Sequence, residues 1–396
     1  MKIRFFLIGF IVLALANGVL WSSSTARAQP TCDPAYVTQA GNTITVQPTG
    51  VSDTANLQCA FDAAVSVGTD MTVHLESGIY KTDQIVVTGF QGQFTGEGAS
   101  STTITNLPNL YVTPVDVIDN PPSADNPWPN LISFIGGDFS ISHLAVRIQG
   151  DKPALPWTVF GIDPPLRELA HAIVFLGTEA HVRVDHVLIE GEHAANTLFG
   201  YNLIQAFFFE GLLKDPENPS TLLPISGSFS VQDSTFRSMD SGAPVYNLNN
   251  ATVIILNNEF SDMNSAVLGE IFPNSSFEFS KNNGDSFFGV YLYNTTGEQD
   301  SGSSFLFNNN NFRGAIGVAL ELNFGEGNEC LLKGNNTQNV EVIGIYLGPG
   351  TTGCTVVGGS NKTNVLDLGT DNILVGVNNM GTGVGPTLTQ FLRPGK

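Results

Sequence analysis

A repeat in the second half constrains this chain more than any other feature. Val231-Gln-Asp-Ser-Thr-Phe236 returns as Ile255-Leu-Asn-Asn-Glu-Phe260, Phe279-Ser-Lys-Asn-Asn-Gly284 and Phe307-Asn-Asn-Asn-Asn-Phe312. It continues as Leu332-Lys-Gly-Asn-Asn-Thr337, Val357-Gly-Gly-Ser-Asn-Lys362 and Val375-Gly-Val-Asn-Asn-Met380, with steps of 24, 24, 28, 25, 25 and 18 residues. A period in the twenties, rich in β-branched residues, Gly and Asn and almost without helical periodicity, specifies a solenoid. Leucine-rich repeats share the period but need several Leu at fixed offsets, where these repeats carry Val, Ile, Phe, Gly and Asn. A parallel β-helix fits instead: short strands joined by tight turns stack at about 4.8 Å and bury their inward side chains in one column.

Asn258, Asn282, Asn310, Asn335 and Asn378 then fall at one turn position, with Ser234 and Ser360 in the same column. Asn tolerates the left-handed backbone such a turn requires, and stacked amides bond to one another, so the ladder reads as structural.

The first 28 residues carry a basic opening (Lys2, Arg4), an apolar run from Phe5 to Leu20 and a small-residue site at Ala26-Arg27-Ala28. This is the pattern of a secretory signal peptide cleaved before Gln29; the competing reading is a membrane anchor, against which stand the A-x-A site and Ser22, Ser23 and Ser24 directly after the run. Cleavage leaves 368 of 396 residues and removes three basic groups and no acid, so the net charge moves from −20 to −23. That charge, with only scattered Lys and Arg, argues against nucleic acid and against anionic membrane surfaces as partners. No second long apolar run follows, so no membrane insertion is expected after signal removal.

Residues 53–110 add a resemblance. Asp53-Thr-Ala-Asn-Leu-Gln-Cys-Ala-Phe-Asp-Ala-Ala-Val65 reads as a short helix with Leu57, Phe61 and Ala64 on one side and Gly68 as its stop. Val73-His-Leu-Glu-Ser-Gly-Ile-Tyr80, Gln84-Ile-Val-Val-Thr88 and Gly96-Glu-Gly-Ala-Ser-Ser-Thr-Thr-Ile104 follow. This order resembles the opening of the pectate-lyase-like β-helix superfamily, in which an amphipathic helix covers the open N-terminal end. The resemblance spans about residues 50–380 and implies an all-β, right-handed parallel β-helix with a short N-terminal capping helix. The expected organisation is signal peptide 1–28, cap 29–80, β-helix 81–380 with long loops between 112 and 225, and tail 381–396. The superfamily includes lyases, glycosidases, esterases, phage fibres and adhesins, so it leaves the activity open.

Four cysteines suit an oxidising compartment. Cys330 and Cys354 lie one coil apart and Cys32 and Cys59 lie in the cap, which favours those two pairings; unpaired buried thiols are the alternative.

The polygalacturonase-like motifs N-T-D, D-D, G-H-G and R-I-K are all absent. Arg183-Val-Asp-His186 resembles the W-I-D-H segment of pectate lyases, whose Asp helps bind calcium, but lacks its Trp and any downstream R-x-P-x-x-R. His186 also aligns with His143, Asp233 and Asn257, which makes it a turn-column residue. No metal motif is present, and calcium enters only through the resemblance. Glu190-Gly-Glu-His193 is the densest ionisable cluster and, with Asp185, stands as a reserve site; solvated turn residues are the plainer reading.

A second constellation appears when the other strands are aligned. Val267-Leu-Gly-Glu-Ile271, Val290-Tyr-Leu-Tyr-Asn294, Val318-Ala-Leu-Glu-Leu322 and Ile345-Tyr-Leu-Gly348 share a register in which alternate residues face outward. The outward columns are Leu268, Tyr291, Ala319, Tyr346 and, beside it, Glu270, Tyr293, Glu321, Gly348. Glu270 and Glu321 stand two rungs apart, about 9.5 Å, near the upper end of the separation that admits a water in an inverting glycosidase. They are the candidate catalytic pair, with Tyr291, Tyr293 and Tyr346 as flat surfaces for sugar rings. Trp128 and Trp157, in proline-rich segments of the long loops, are further candidate substrate contacts.

The expected function is a secreted protein acting on or binding extracellular or cell-surface polysaccharide. A glycoside hydrolase on a neutral glycan is the leading form, because a polyuronate lyase would need positive charge or calcium beside its substrate. A non-catalytic glycan-binding or structural β-helix is the alternative, and a polysaccharide lyase a further one.

Overall fold

Alternation of buried and outward residues along the short strands builds the fold. In Ser276–Ser280, Phe277 and Phe279 are buried while Ser276 and Glu278 face outward. In parallel stacking each residue meets the same position one coil later, so an inward position becomes a continuous apolar column. The computed structural model describes residues 32–107, 130–149, 169–192, 203–210, 213–214, 222–270, 273–294, 301–324, 327–358 and 363–380. Residues 1–28, expected to be a signal peptide, the expected tail 381–396, Trp128, Trp157, His193 and Ser360 lie outside them.

The architecture is a right-handed parallel β-helix with one helix, as the sequence led us to expect. Three parallel faces recur in each coil. A first face runs from Met71–Leu75 through Ser276–Ser280 and Ser304–Asn308 to Ile373–Val375. A second begins with Gly78–Thr82 stacked on Thr102–Asn106, and a third with Ile85–Thr88 stacked on Ile132–Ile135. In the later coils one long strand, such as Asn283–Tyr293 or Asn311–Glu321, supplies both the second and third faces and shifts register between them.

Inside the first face, Val253, Phe277, Phe305 and Cys330 are successive partners, as are Ile255, Phe279, Phe307 and Leu332. All are buried, and each such side chain stabilises the fold by about 1.5–3 kcal/mol through burial. Where the second face bends into the third, Gly242, Gly289, Gly317 and Gly344 sit at the corner. A Cβ on Gly289 would lie 2.2 Å from the Phe312 ring and 2.4 Å from the Gly317 carbonyl, so only hydrogen fits there.

The helix α1, Thr54–Val67, covers the N-terminal end. Leu57, Phe61 and Ala64 are buried, and Phe61 meets Phe94 and Phe90 edge-on at 4.9 and 5.5 Å. Gly68, at φ +110°, ends the helix by donating its N–H to the Ala64 carbonyl. Disulfides join Cys32 to Cys59 and Cys330 to Cys354, the latter on neighbouring rungs, and no described cysteine is free.

The asparagine ladder holds with one correction to its register. Asn258, Asn282, Asn310 and Asn335 are buried, and each amide oxygen accepts the backbone N–H of the preceding member, Ser234 being the first donor. None of them is left-handed. That conformation belongs to the residue before each: Asp233, Asn257, Lys281, Asn309 and Gly334, preceded by His143 and His186. The ladder side chain thereby points inward to cap the turn, while its predecessor turns the chain outside. Asn378 is outside this column: it pairs with Asn364 and donates its Nδ2 to the Asn364 Oδ1 across 2.7 Å.

Candidate functional site

The third face presents the glutamate–tyrosine columns in the expected register. Leu268, Tyr291, Ala319 and Tyr346 are successive partners, and the next outward column runs Tyr246, Glu270, Tyr293, Glu321 on four consecutive rungs. Glu210 holds the same position one rung before Tyr246, so carboxylate and phenol residue types alternate over five rungs. Tyr246 was accessible to sequence reasoning, since it lies 24 residues before Glu270, one period. Glu210 was not, because the excursion after it stretches that step to 36 residues.

The Tyr291 hydroxyl donates to Glu321 Oε2 across 2.7 Å. Burial first, then the nearby Glu321 carboxylate, push the Tyr346 hydroxyl up to about 12. Burial and the same carboxylate push Tyr291 well above the ordinary tyrosine range. Glu321 is therefore held by the Tyr291 hydroxyl, which stays protonated.

The rings divide into two kinds. Tyr291, half-buried, stacks on Phe288 at 5.1 Å and lies 5.1 Å from Tyr293, whose hydroxyl is 3.4 Å from that of Tyr246. Tyr346 is only 2% exposed and packs among Phe288, Ile316, Ala319, Ile343 and Leu366. It is a support beneath Glu321 and offers no open face to a sugar ring, contrary to the role expected of it.

Of the reserve cluster, His193 lies outside the described residues, and Asp185 and Glu190 have separate partners. Glu190 lies between Arg147 and Arg237 on adjacent rungs, at 3.0 and 2.7 Å, which occupies its carboxylate. Asp185 sits before the intervening turn, where Asp185, His186 and Asp233 bring one ligand atom each within 4.8 Å of one another. His186 stacks parallel on His143 at 5.3 Å, confirming the turn column. Calcium, implied there by the resemblance, requires six to eight oxygen ligands. An imidazole and two carboxylates already accepting from His186, Gln232 and Asn257 do not fit it.

Among the described residues no helix is long and apolar enough to cross a membrane. No protein-family model and no curated protein matches the chain. Solved structures do. The mannuronan C-5 epimerase AlgE6 A-module of Azotobacter vinelandii is 16% identical, covering 83% of this chain and 91% of its own at a TM-score of 0.34. Polygalacturonase from Erwinia carotovora ssp. carotovora is 11% identical, covering 88% and 98% at 0.43. PfbA, a surface adhesin of Streptococcus pneumoniae, is 14% identical, covering 82% and 88% at 0.38. A fold does not fix a reaction, which must be argued from the site. The topology described above is the parallel β-helix expected from the repeat.

Proposed function

We propose that this protein is a secreted hydrolase of a neutral polysaccharide, acting at the Glu270–Glu321 pair on the third face. The observation that carries the reading is the unbroken outward column Tyr246, Glu270, Tyr293, Glu321, with Glu321 fixed by Tyr291. A rung spacing of about 4.8 Å sets the two carboxylates about 9.5 Å apart, enough for a glycosidic bond and a water between them. Glu321, oriented by the Tyr291 hydroxyl, takes the proton of the attacking water. Glu270, two rungs away on the same column, delivers a proton to the leaving oxygen.

Tyr291, Tyr293 and Tyr246 supply the apolar faces against which sugar rings lie, and Trp128 and Trp157 are offered as further contacts. Two disulfides belong with an oxidising compartment and support secretion. The acidic balance favours an uncharged substrate over a polyuronate.

A second reading has its own support. Tyr291 ties Glu321 as a structural bridge would, and a glycan-binding face without turnover uses the rings of Tyr291, Tyr293 and Tyr246. Incubation of the mature protein with neutral and acidic polysaccharides, with and without calcium, separates the readings. New reducing ends support the hydrolase, unsaturated products establish a lyase, and retention on an insoluble glycan without products establishes the binding protein.

A further inference from the structure

We infer that the second face carries a separate binding groove for an uncharged saccharide. Glu259, Ser261, Asn283, Asp285, Asn311 and Arg313 line a depression over three consecutive rungs of that face. It lies on a different face from the Glu270–Glu321 column.

The charges in this groove are unusual for their column. Arg147, Glu190, Arg237, Ser261, Asp285 and Arg313 occupy one outward register. At its upper end, opposite charges on adjacent rungs close into ion pairs at 3.0 and 2.7 Å. Asp285 and Arg313 are also direct rung partners, yet among the described residues they form no ion pair, and neither the Glu259 carboxylate nor the Arg313 guanidinium has a side-chain partner there. The amides are directional as well. Asn336 donates to Asn311 across 2.9 Å and Asn311 to Asn283 across 3.3 Å, which leaves the Asn283 Nδ2 as the free donor at the Glu259 end of the groove.

This lining selects its ligand by chemistry. Two carboxylates disfavour an anion, and Arg313 on the same rim disfavours a metal cation. A neutral polyol satisfies both kinds of group at once: its hydroxyls donate to Glu259 and Asp285 and accept from Arg313 and Asn283. No aromatic surface is exposed in the groove, so recognition rests on hydrogen bonds, with the modest affinity expected where water competes for each of them.

The test uses the full mature protein with cellotetraose and maltotetraose as probes, followed by saturation-transfer NMR and calorimetric titration. Asp285→Asn and Arg313→Gln should each weaken binding of one of these sugars at least about tenfold, as expected for hydrogen bonds to charged groups. The unfolding midpoint should stay unchanged, because both side chains are exposed. Tyr291→Ala should leave this binding intact. Binding that is indifferent to both groove variants overturns the inference, as does binding lost only with Tyr291→Ala, or no binding of either sugar at millimolar concentration. The outcome is independent of the proposed hydrolase, since neither groove residue belongs to the Glu270–Glu321 face.

Discussion

The Tyr291 hydroxyl and Glu321 Oε2, 30 residues apart in sequence, meet across 2.7 Å, with Ala319 as the rung partner of Tyr291 and Glu321 that of Tyr293. The bond is a diagonal between neighbouring rungs, and it converts two ordinary surface residues into a fixed pair. Tyr291→Phe keeps the ring but removes this donor. It should lower turnover on a glycan about tenfold or more while leaving glycan affinity near wild type, whereas Tyr291→Ala should weaken affinity as well. Equal affinity losses in both variants would assign the hydroxyl to binding.

The same contacts set an alkaline limit. Tyr80, Tyr291 and Tyr346 are all raised above their ordinary value of 10, first by burial, and Tyr346 to about 12. A folded-state value above the unfolded one means the folded protein holds protons that the unfolded chain releases. Their contribution to stability is complete below about pH 10 and is lost as pH rises through the folded values. Absorbance titration of the phenolates should therefore show these three of the eight tyrosines ionising late, together with unfolding. Ionisation of all eight near pH 10 in a folded protein would contradict the burial described.

Asn310→Val should destabilise the protein by about 2–4 kcal/mol, measured by chemical denaturation. The buried amide accepts from the Asn282 backbone and donates to the Phe279 carbonyl and Asn335 Oδ1, so its loss orphans several buried groups. Asn309→Gly should be nearly neutral, since Asn309 is exposed at φ +53° and Gly accepts that conformation. A neutral Asn310→Val would remove the ladder from the account.

These two adjacent residues show how far the sequence could be read. The repeat announced the column of asparagines and its structural role, because identical residues at a fixed period must stack. It did not tell which of two neighbouring asparagines turns the chain and which caps it, since both tolerate the turn. On the third face, alternation placed Glu270, Tyr293 and Glu321 in one column. Tyr346 looked equivalent to Tyr291 in that pattern, yet it is buried by Phe288, Ile316 and Ile343, which come from the corner before each third-face strand. Outward position in a strand does not imply exposure when neighbouring outward columns are bulky and apolar. The pairing of Arg147 and Arg237 with Glu190 was equally hidden, because the rung steps there are 43 and 47 residues and no period links them.

Replacing Cys330 and Cys354 by Ala should cost about 3 kcal/mol, the value expected for closing a loop of this length, and the effect should stay local. In a solenoid each coil contacts only its neighbours. Hydrogen exchange should accelerate from about residue 329 onward and remain unchanged in residues 222–270. A uniform acceleration would mean that the rungs unfold as one unit.

Turnover by Glu270→Gln and Glu321→Gln, on whichever neutral polysaccharide yields new reducing ends, tests whether the two carboxylates act together on a glycan. Each variant should lose at least about a hundredfold in turnover, with the unfolding midpoint and glycan affinity retained. Full turnover in both variants of an active preparation would contradict it.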